Sequence, residues 1–132
     1  QPMIKNMKHI LIVDDDQDCL FQLEFLLKQK GFAVTALESQ KMAEEWLEQN
    51  CPVIAVFDLM MERDDSGFIL SRNLKKKYPE IPVVILTAVT PETGISFNIQ
   101  SPESRAWIKA DLYLEKGVDR ETISMQISQL LK

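Results

Sequence analysis

Short apolar runs alternate with amphipathic stretches along most of the chain. The apolar runs are unbroken, as in strands that are buried on both faces of a sheet. They predict strands at residues 9–13, 32–37, 52–58, 81–87 and 112–115. The amphipathic stretches place apolar residues at helical spacing. They predict helices at residues 18–31, 40–49, 67–78 and 120–132, with a further helix around 104–109.

The order of these elements predicts an α/β fold. Where strands and helices alternate, right-handed crossovers join parallel strands, and helices cover both faces of the sheet. A length of 132 residues fits one domain, which we expect at 8–132 after a disordered or tail segment at 1–7. Ser39 and Asp119 are predicted N-caps, and Gly31 is placed to end the first helix.

Charge and composition exclude several classes of protein. The formal net charge of −5 argues against a nucleic-acid-binding surface, which usually has a basic excess. The two cysteines, Cys19 and Cys51, give no disulfide framework and fit a reducing compartment. No apolar run is long enough to span a membrane, and the first residues lack the apolar core of a signal peptide. The expected location is therefore the cytoplasm.

Chemically active side chains follow the predicted strands, at the ends where parallel sheets bind their ligands. They are Asp14 and Asp15 after the first strand, Asp58 at the end of the third, Thr87 at the end of the fourth, and Lys116 after the fifth. Carboxylates at one edge repel each other unless a cation neutralises them. Mg²⁺ prefers oxygen ligands and keeps several waters. The pattern therefore predicts a magnesium site, with the lysine as a second cation.

Five segments have the order and spacing of one protein family: "LIVDDD", "VIAVFDLM", "SGF", "VVILTA" and "DLYLEK". Over residues 8–132 the chain resembles the receiver domain of two-component response regulators. The resemblance implies a flavodoxin-like, doubly wound sheet of five parallel strands in the order 2-1-3-4-5, with helices on both faces. It also implies a regulatory switch, not an enzyme; self-phosphorylation from small donors and self-dephosphorylation would be its only reactions.

The resemblance assigns the phosphoacceptor and the metal ligands. Asp58 would be the nucleophile that forms an aspartyl phosphate. Asp15 would ligate Mg²⁺ directly, together with Asp58, and Asp14 would hold it mainly through water. The backbone carbonyl of Met60 would be a further ligand.

The same resemblance assigns the residues that contact the phosphoryl group. Lys116 would pair with the phosphoryl oxygens, while the Thr87 hydroxyl and the Ala88 backbone amide would donate hydrogen bonds to them. Tyr113 would be the aromatic side chain that changes rotamer and fills the space vacated by Thr87.

Partners are expected from the same comparison. The chain has no glycine-rich phosphate loop of the nucleotide-binding kind, so the phosphoryl group should come from a sensor histidine kinase or a histidine phosphotransfer protein. The downstream target would be another protein, with no direct contact to nucleic acid or membrane. A phosphorylation-dependent homodimer is one assembly that the resemblance allows. Whether the chain acts alone or belongs to a longer regulator or hybrid kinase is open.

The chain departs from the usual receiver pattern in three places. Gly117 follows Lys116 where most receivers have a proline in a cis peptide, so we expect a trans or a strained bond. Met61 replaces another usual proline, and its loop is one residue longer than usual before Ser66. The step from Thr87 to the lysine is also longer than in typical receivers, which predicts a long loop and a shortened or displaced fourth helix.

Three functions stay open on the sequence. The first is a phosphorylatable receiver, in which Asp16 is a solvated loop carboxylate. The second is a pseudo-receiver, an interaction module that is not phosphorylated. Gly117 stands where most receivers have a proline, and this difference keeps the alternative open. The third is a haloacid-dehalogenase-type phosphatase that uses Asp14 and Asp16 as its Asp-x-Asp motif. In that third interpretation Asp58 would have no role.

Overall fold

Strands and helices alternate from residue 9 onward. The computed structural model describes residues 9–59, 61, 65–87 and 111–131. In chain order the elements are β1 (His9–Val13), α1 (Gln17–Gln29), β2 (Ala33–Leu37), α2 (Gln40–Gln49), β3 (Ile54–Asp58), α3 (Ser66–Lys77), β4 (Val83–Thr87), β5 (Leu112–Glu115) and α4 (Arg120–Gln129). Each element predicted for this part of the chain is present, with ends that differ by three residues at most.

The five strands form one parallel sheet in the order β2-β1-β3-β4-β5. This confirms the predicted fold class and strand order. Helices α1 and α4 pack on one face around residues such as Leu23 and Ile127. Helices α2 and α3 pack on the other face around Ala43 and Leu70. Every residue of β3 and β4 is buried, which explains why these strands are unbroken apolar runs.

The start of α1 differs from the prediction. The Asp16 carboxylate accepts hydrogen bonds from the backbone N–H groups of Asp18 and Cys19, at 3.1 and 3.4 Å. It therefore satisfies two of the N–H groups that a helix start leaves without partners. Asp16 is exposed, but the expectation of a merely solvated loop carboxylate is wrong, because this side chain is the cap of α1.

The other predicted helix ends are confirmed. Ser39 and Asp119 each accept a hydrogen bond from the backbone N–H three residues further on. Gly31 has a positive φ of 97°, which glycine adopts without steric cost. Its N–H donates to the carbonyl of Lys28 at 3.0 Å and closes α1.

Several expectations concern residues outside the described part of the chain. They fall on the tail at 1–7, on Met60 and Ala88, and on the helix expected around 104–109. The whole segment 88–110 is among them, so the atypical fourth-helix region stays a prediction. Among the described helices, none has the length and apolar character needed to cross a membrane.

Candidate functional site

The candidate residues lie at the carboxyl edge of the sheet. Asp14 directly follows β1, Asp58 ends β3, Thr87 ends β4, and Lys116 directly follows β5. Backbone hydrogen bonds extend the sheet past these ends. The Asp14 N–H donates to the Leu37 carbonyl at 3.0 Å, and the Lys116 N–H donates to the Thr87 carbonyl at 2.8 Å. The side chains therefore extend from backbone that the sheet holds in place.

Three carboxylates meet at this edge and form what we call the acidic cluster: Asp14, Asp15 and Asp58. One oxygen from each lies within 4.8 Å of the others. Asp14 is fully buried and Asp58 is 5% exposed, whereas Asp15 is exposed. Like charges this close repel each other, and burial strengthens that repulsion. An oxygen-rich cluster of this kind suits a hard divalent cation.

Lys116 bridges the two buried carboxylates. Its Nζ lies 3.0 Å from Asp14 Oδ1 and 3.2 Å from Asp58 Oδ1. Burial lowers the pKa of Lys116, but the charges of Asp14 and Asp58 and the hydrogen bonds to them outweigh it, so the pKa is raised overall. The lysine is therefore a permanent cation between the two carboxylates.

One lysine does not neutralise the cluster. Burial and then the charge of Asp14 raise the pKa of Asp58, Lys116 opposes the shift only in part, and the resulting pKa is about 8. The protein by itself thus disfavours the carboxylate form of Asp58. A further cation at this edge would favour the carboxylate form.

Two buried polar atoms at the edge have no hydrogen-bond partner among the described residues. They are Oδ2 of Asp14 and the hydroxyl Oγ1 of Thr87. Buried polar groups in proteins are nearly always paired, and an unpaired one costs about 1–3 kcal/mol. The carboxylate oxygen can accept a bond or ligate a cation, and the hydroxyl can donate to an anion. Both atoms fit a site built for a bound group.

Tyr113 lies on the same face of the sheet as Thr87. Within β4, Ile85 and Thr87 point to one face because strand side chains alternate. Tyr113 pairs with Ile85 in the β4–β5 register and packs in the core between the sheet and helices α2 and α3. A movement of Thr87 would therefore change the surroundings of Tyr113.

Gly67, at the start of α3, explains the "SGF" motif physically. A Cβ at this position would lie 2.6 Å from the Asp58 carbonyl oxygen and 2.8 Å from the Leu59 Cα. The Gly67 N–H also donates to the Leu59 carbonyl at 2.8 Å. Only glycine allows α3 to approach so closely, and this contact fixes the backbone that carries Asp58.

The turn after β5 contains a residue that sequence reasoning missed. No described peptide bond is cis, so the Lys116–Gly117 bond is trans, one of the two expected alternatives. Arg120 folds back on this turn, and its Nη1 donates to the carbonyl oxygens of Lys116 and Val118 at 2.8 and 3.3 Å. The sequence shows only an arginine after a helix cap, a pattern that is normally solvent-exposed.

Three further predicted residues lie either outside the acidic cluster or outside the described part of the chain. Asp16 caps α1 and is not part of the acidic cluster. Met60 and Ala88, the expected backbone contributors, lie outside the described residues.

Comparison with known proteins gives a consistent result. A family model described as "Response regulator receiver domain" matches residues 10–128. Response regulator SaeR of Staphylococcus aureus is 29% identical over 125 residues, which cover 95% of this chain and 51% of SaeR. The chain thus spans about half the length of the curated relatives that it matches.

Solved structures share the fold. A CheY-like receiver domain protein from Methanospirillum hungatei JF-1 is 23% identical, with a TM-score of 0.76, and the match covers 95% of this chain and 94% of that one. The response regulator TrrA from Thermotoga maritima, solved in complex with Mg(2+)-BeF, is 19% identical, with a TM-score of 0.74 and coverage of 94% and 99%. The family match extends over nearly the whole sheet and all four described helices, and the chain therefore belongs to the response regulator receiver domain family.

Proposed function

We propose that this chain is a phosphoacceptor receiver domain in which Asp58 accepts a phosphoryl group from a partner. The observation that carries the proposal is the setting of Asp58. It is almost fully buried beside a second buried carboxylate, and it bonds to the Lys116 ammonium. The Thr87 hydroxyl, which has no hydrogen-bond partner among the described residues, lies at the same edge. A nucleophile, a cation and a hydrogen-bond donor are the groups that phosphoryl transfer needs.

A divalent cation such as Mg²⁺ fits the acidic cluster. Asp14, Asp15 and Asp58 would hold it, with the Met60 carbonyl as an expected further ligand. Two observations support this assignment. Oδ2 of Asp14 has no hydrogen-bond partner among the described residues, and the pKa of Asp58 is raised. Both indicate negative charge that the described side chains do not compensate. When bound, the ion would supply positive charge near the phosphoryl oxygens.

Each of these residues would then have a separate role in phosphoryl transfer. The deprotonated Asp58 carboxylate attacks phosphorus, a new O–P bond forms, and the bond from phosphorus to the donor breaks with its electron pair leaving on the donor. Lys116, already 3.2 Å from Asp58 Oδ1, pairs with a phosphoryl oxygen. The Thr87 hydroxyl and the expected Ala88 amide donate hydrogen bonds to the others.

The signal would leave the site through Thr87 and Tyr113. Drawing the Thr87 hydroxyl to the phosphoryl group vacates space on the sheet face that also carries Tyr113. The tyrosine ring then moves inward and changes the surface beside β5.

The phosphoryl donor would be a sensor histidine kinase or a histidine phosphotransfer protein, and the output would be a contact with another protein. Phe21 and Phe25 are 68% and 53% exposed and lie one helical turn apart on α1. Large apolar side chains are rarely left exposed together unless a partner covers them. Homodimer formation and a cytoplasmic location stay predictions.

The phosphatase alternative has little support. Its Asp-x-Asp motif would need Asp16 at the reaction centre, but that carboxylate is bound to the backbone of α1. We expect no turnover of p-nitrophenyl phosphate. Sustained turnover that depends on Asp16 would restore the phosphatase interpretation.

Intact-mass spectrometry after incubation with acetyl phosphate tests the proposal. We expect one added phosphoryl group in the wild type with Mg²⁺ and none without Mg²⁺. Asp58→Asn should form no adduct, whereas the matched variant Asp16→Asn should behave like the wild type, because asparagine also caps helices. No adduct in the wild type, with Mg²⁺ binding retained, would favour the pseudo-receiver instead.

A further inference from the structure

We propose that Arg120 is a positioning residue for Lys116. Its guanidinium holds the turn between β5 and α4 in one conformation, and this keeps the lysine ammonium at Asp58. The consequence for phosphoryl transfer rests on the function proposed above. The contact between Arg120 and the turn does not depend on that function.

Gly117 does not by itself fix the backbone conformation of the turn between β5 and α4. Gly117 is exposed, a Cβ there would meet nothing within 4 Å, and its φ is not positive. Neither space nor backbone conformation therefore requires a glycine, which has more conformational freedom than any other residue. The proline that most receivers have at this position would fix φ by its ring. Some other group must restrict the turn in this chain.

Arg120 supplies that restriction. Its Nη1 donates to the carbonyl oxygens of Lys116 and Val118, at 2.8 and 3.3 Å. A third turn carbonyl, that of Glu115, accepts from the Val118 N–H at 3.1 Å. The arginine is itself anchored as the first residue of α4, after the Asp119 cap. The planar guanidinium presents donors in a fixed fork, so it can hold two carbonyls at once.

The side chain of Arg120 is partly buried against the turn. Its Nε is fully buried and has no hydrogen-bond partner among the described residues. The guanidinium is therefore held at the turn and does not extend freely into solvent.

These contacts hold the Lys116 backbone from two sides. Its N–H donates to the Thr87 carbonyl of β4, and its own carbonyl accepts from Arg120. The Nζ of a lysine is four carbons from its Cα, so a backbone with one side released would let the ammonium leave Asp58. In this chain Arg120 performs through hydrogen bonds what a proline ring would do covalently.

Hydrogen exchange tests the contact directly, without any phosphoryl donor. We expect Arg120→Ala to raise the exchange rates of the Lys116 and Val118 amides by about tenfold or more, because these amides report local opening of the turn. Arg120→Lys keeps the charge but has a shorter reach and no planar guanidinium, so it should fall between the two. The matched control Arg72→Ala removes an exposed arginine of α3 and should change neither amide. Unchanged exchange at both amides in Arg120→Ala would overturn the proposal.

A double-mutant cycle tests whether Arg120 acts through Lys116. With acetyl phosphate and saturating Mg²⁺, Arg120→Ala should slow phosphorylation about tenfold, in line with the cost of misplacing a catalytic group. In a Lys116→Ala background the same change should have no further effect. A purely structural loss would slow both backgrounds equally, and that result would contradict the positioning role. If the wild type forms no adduct, the proposed function fails, and the exchange rates alone decide the role of Arg120.

Discussion

At the scale of single residues, the two buried carboxylates determine the chemistry. Asp14 and Asp58 share one lysine, whose Nζ lies within 3.2 Å of an oxygen of each. Burial and the charge of Asp14 together raise the pKa of Asp58 from its ordinary value of 3.8 to about 8, against the opposing charge of Lys116. A cation bound at the acidic cluster would favour the carboxylate form that the proposed phosphoryl transfer needs.

This shift predicts how stability depends on pH in the metal-free protein. Folded Asp58 holds its proton up to about pH 8, whereas the unfolded chain releases it near pH 3.8. The group therefore stabilises the fold below pH 3.8, and that stabilisation is lost as the pH rises toward 8. With EDTA present, Asp58→Asn should melt at the same temperature as the wild type near pH 4. At pH 8 it should melt at a clearly higher temperature, because asparagine carries no charge that must be buried.

The control for this melting experiment is Asp16→Asn, which changes an exposed carboxylate in the loop between β1 and α1. Its Tm relative to the wild type should not vary between pH 6 and pH 8. A gap between Asp58→Asn and the wild type that is constant with pH would show that Asp58 is not the titrating group.

Thr87 is the residue through which the signal would pass. Thr87→Ala should still accept a phosphoryl group on Asp58, but the Tyr113 ring resonances should no longer shift when the adduct forms. Thr87→Ser keeps the hydroxyl and should retain the shift. Equal responses of Tyr113 in both variants would remove Thr87 from the signalling route.

At the scale of elements, the contact between α3 and the end of β3 fixes the backbone of Asp58. Gly67 brings the start of α3 against the Asp58 carbonyl, and the Gly67 N–H bonds to the Leu59 carbonyl. Helix α3 thus supports the end of β3, which carries Asp58.

Substituting the glycine should disturb both the fold and the site. The Cβ of Gly67→Ala would lie 2.6 Å from backbone, so we expect a loss of about 1–3 kcal/mol in the free energy of unfolding, as in other overpacked sites. Phosphorylation should slow as the Asp58 backbone moves. Gly117→Ala is the matched control, because its Cβ meets nothing within 4 Å. Denaturant melts that find the two variants equally stable would refute the close-approach argument.

At the scale of the whole molecule, the strand order, the helix positions and the convergence of side chains at one edge were predictable. The helix positions follow from apolar periodicity, and the convergence follows from parallel topology, which brings the carboxyl ends of neighbouring strands together. The strand order followed from the resemblance to receiver domains. The capping role of Asp16 was not predictable, because several acidic residues precede α1 and only geometry selects one of them. Arg120 was missed for a related reason, since its direction depends on the path of the turn after β5.

The central claim is that Asp58, and no other carboxylate, carries the phosphoryl group. An acyl phosphate can be trapped by borohydride, which reduces the aspartyl carbonyl to an alcohol, releases phosphate and turns the phosphorylated aspartate into homoserine. The direct measurement is peptide mass spectrometry of the protein after incubation with acetyl phosphate and Mg²⁺, followed by reduction. We expect homoserine at position 58 only. Homoserine at position 14, 15 or 16, or a phosphoryl adduct that survives reduction, would contradict it.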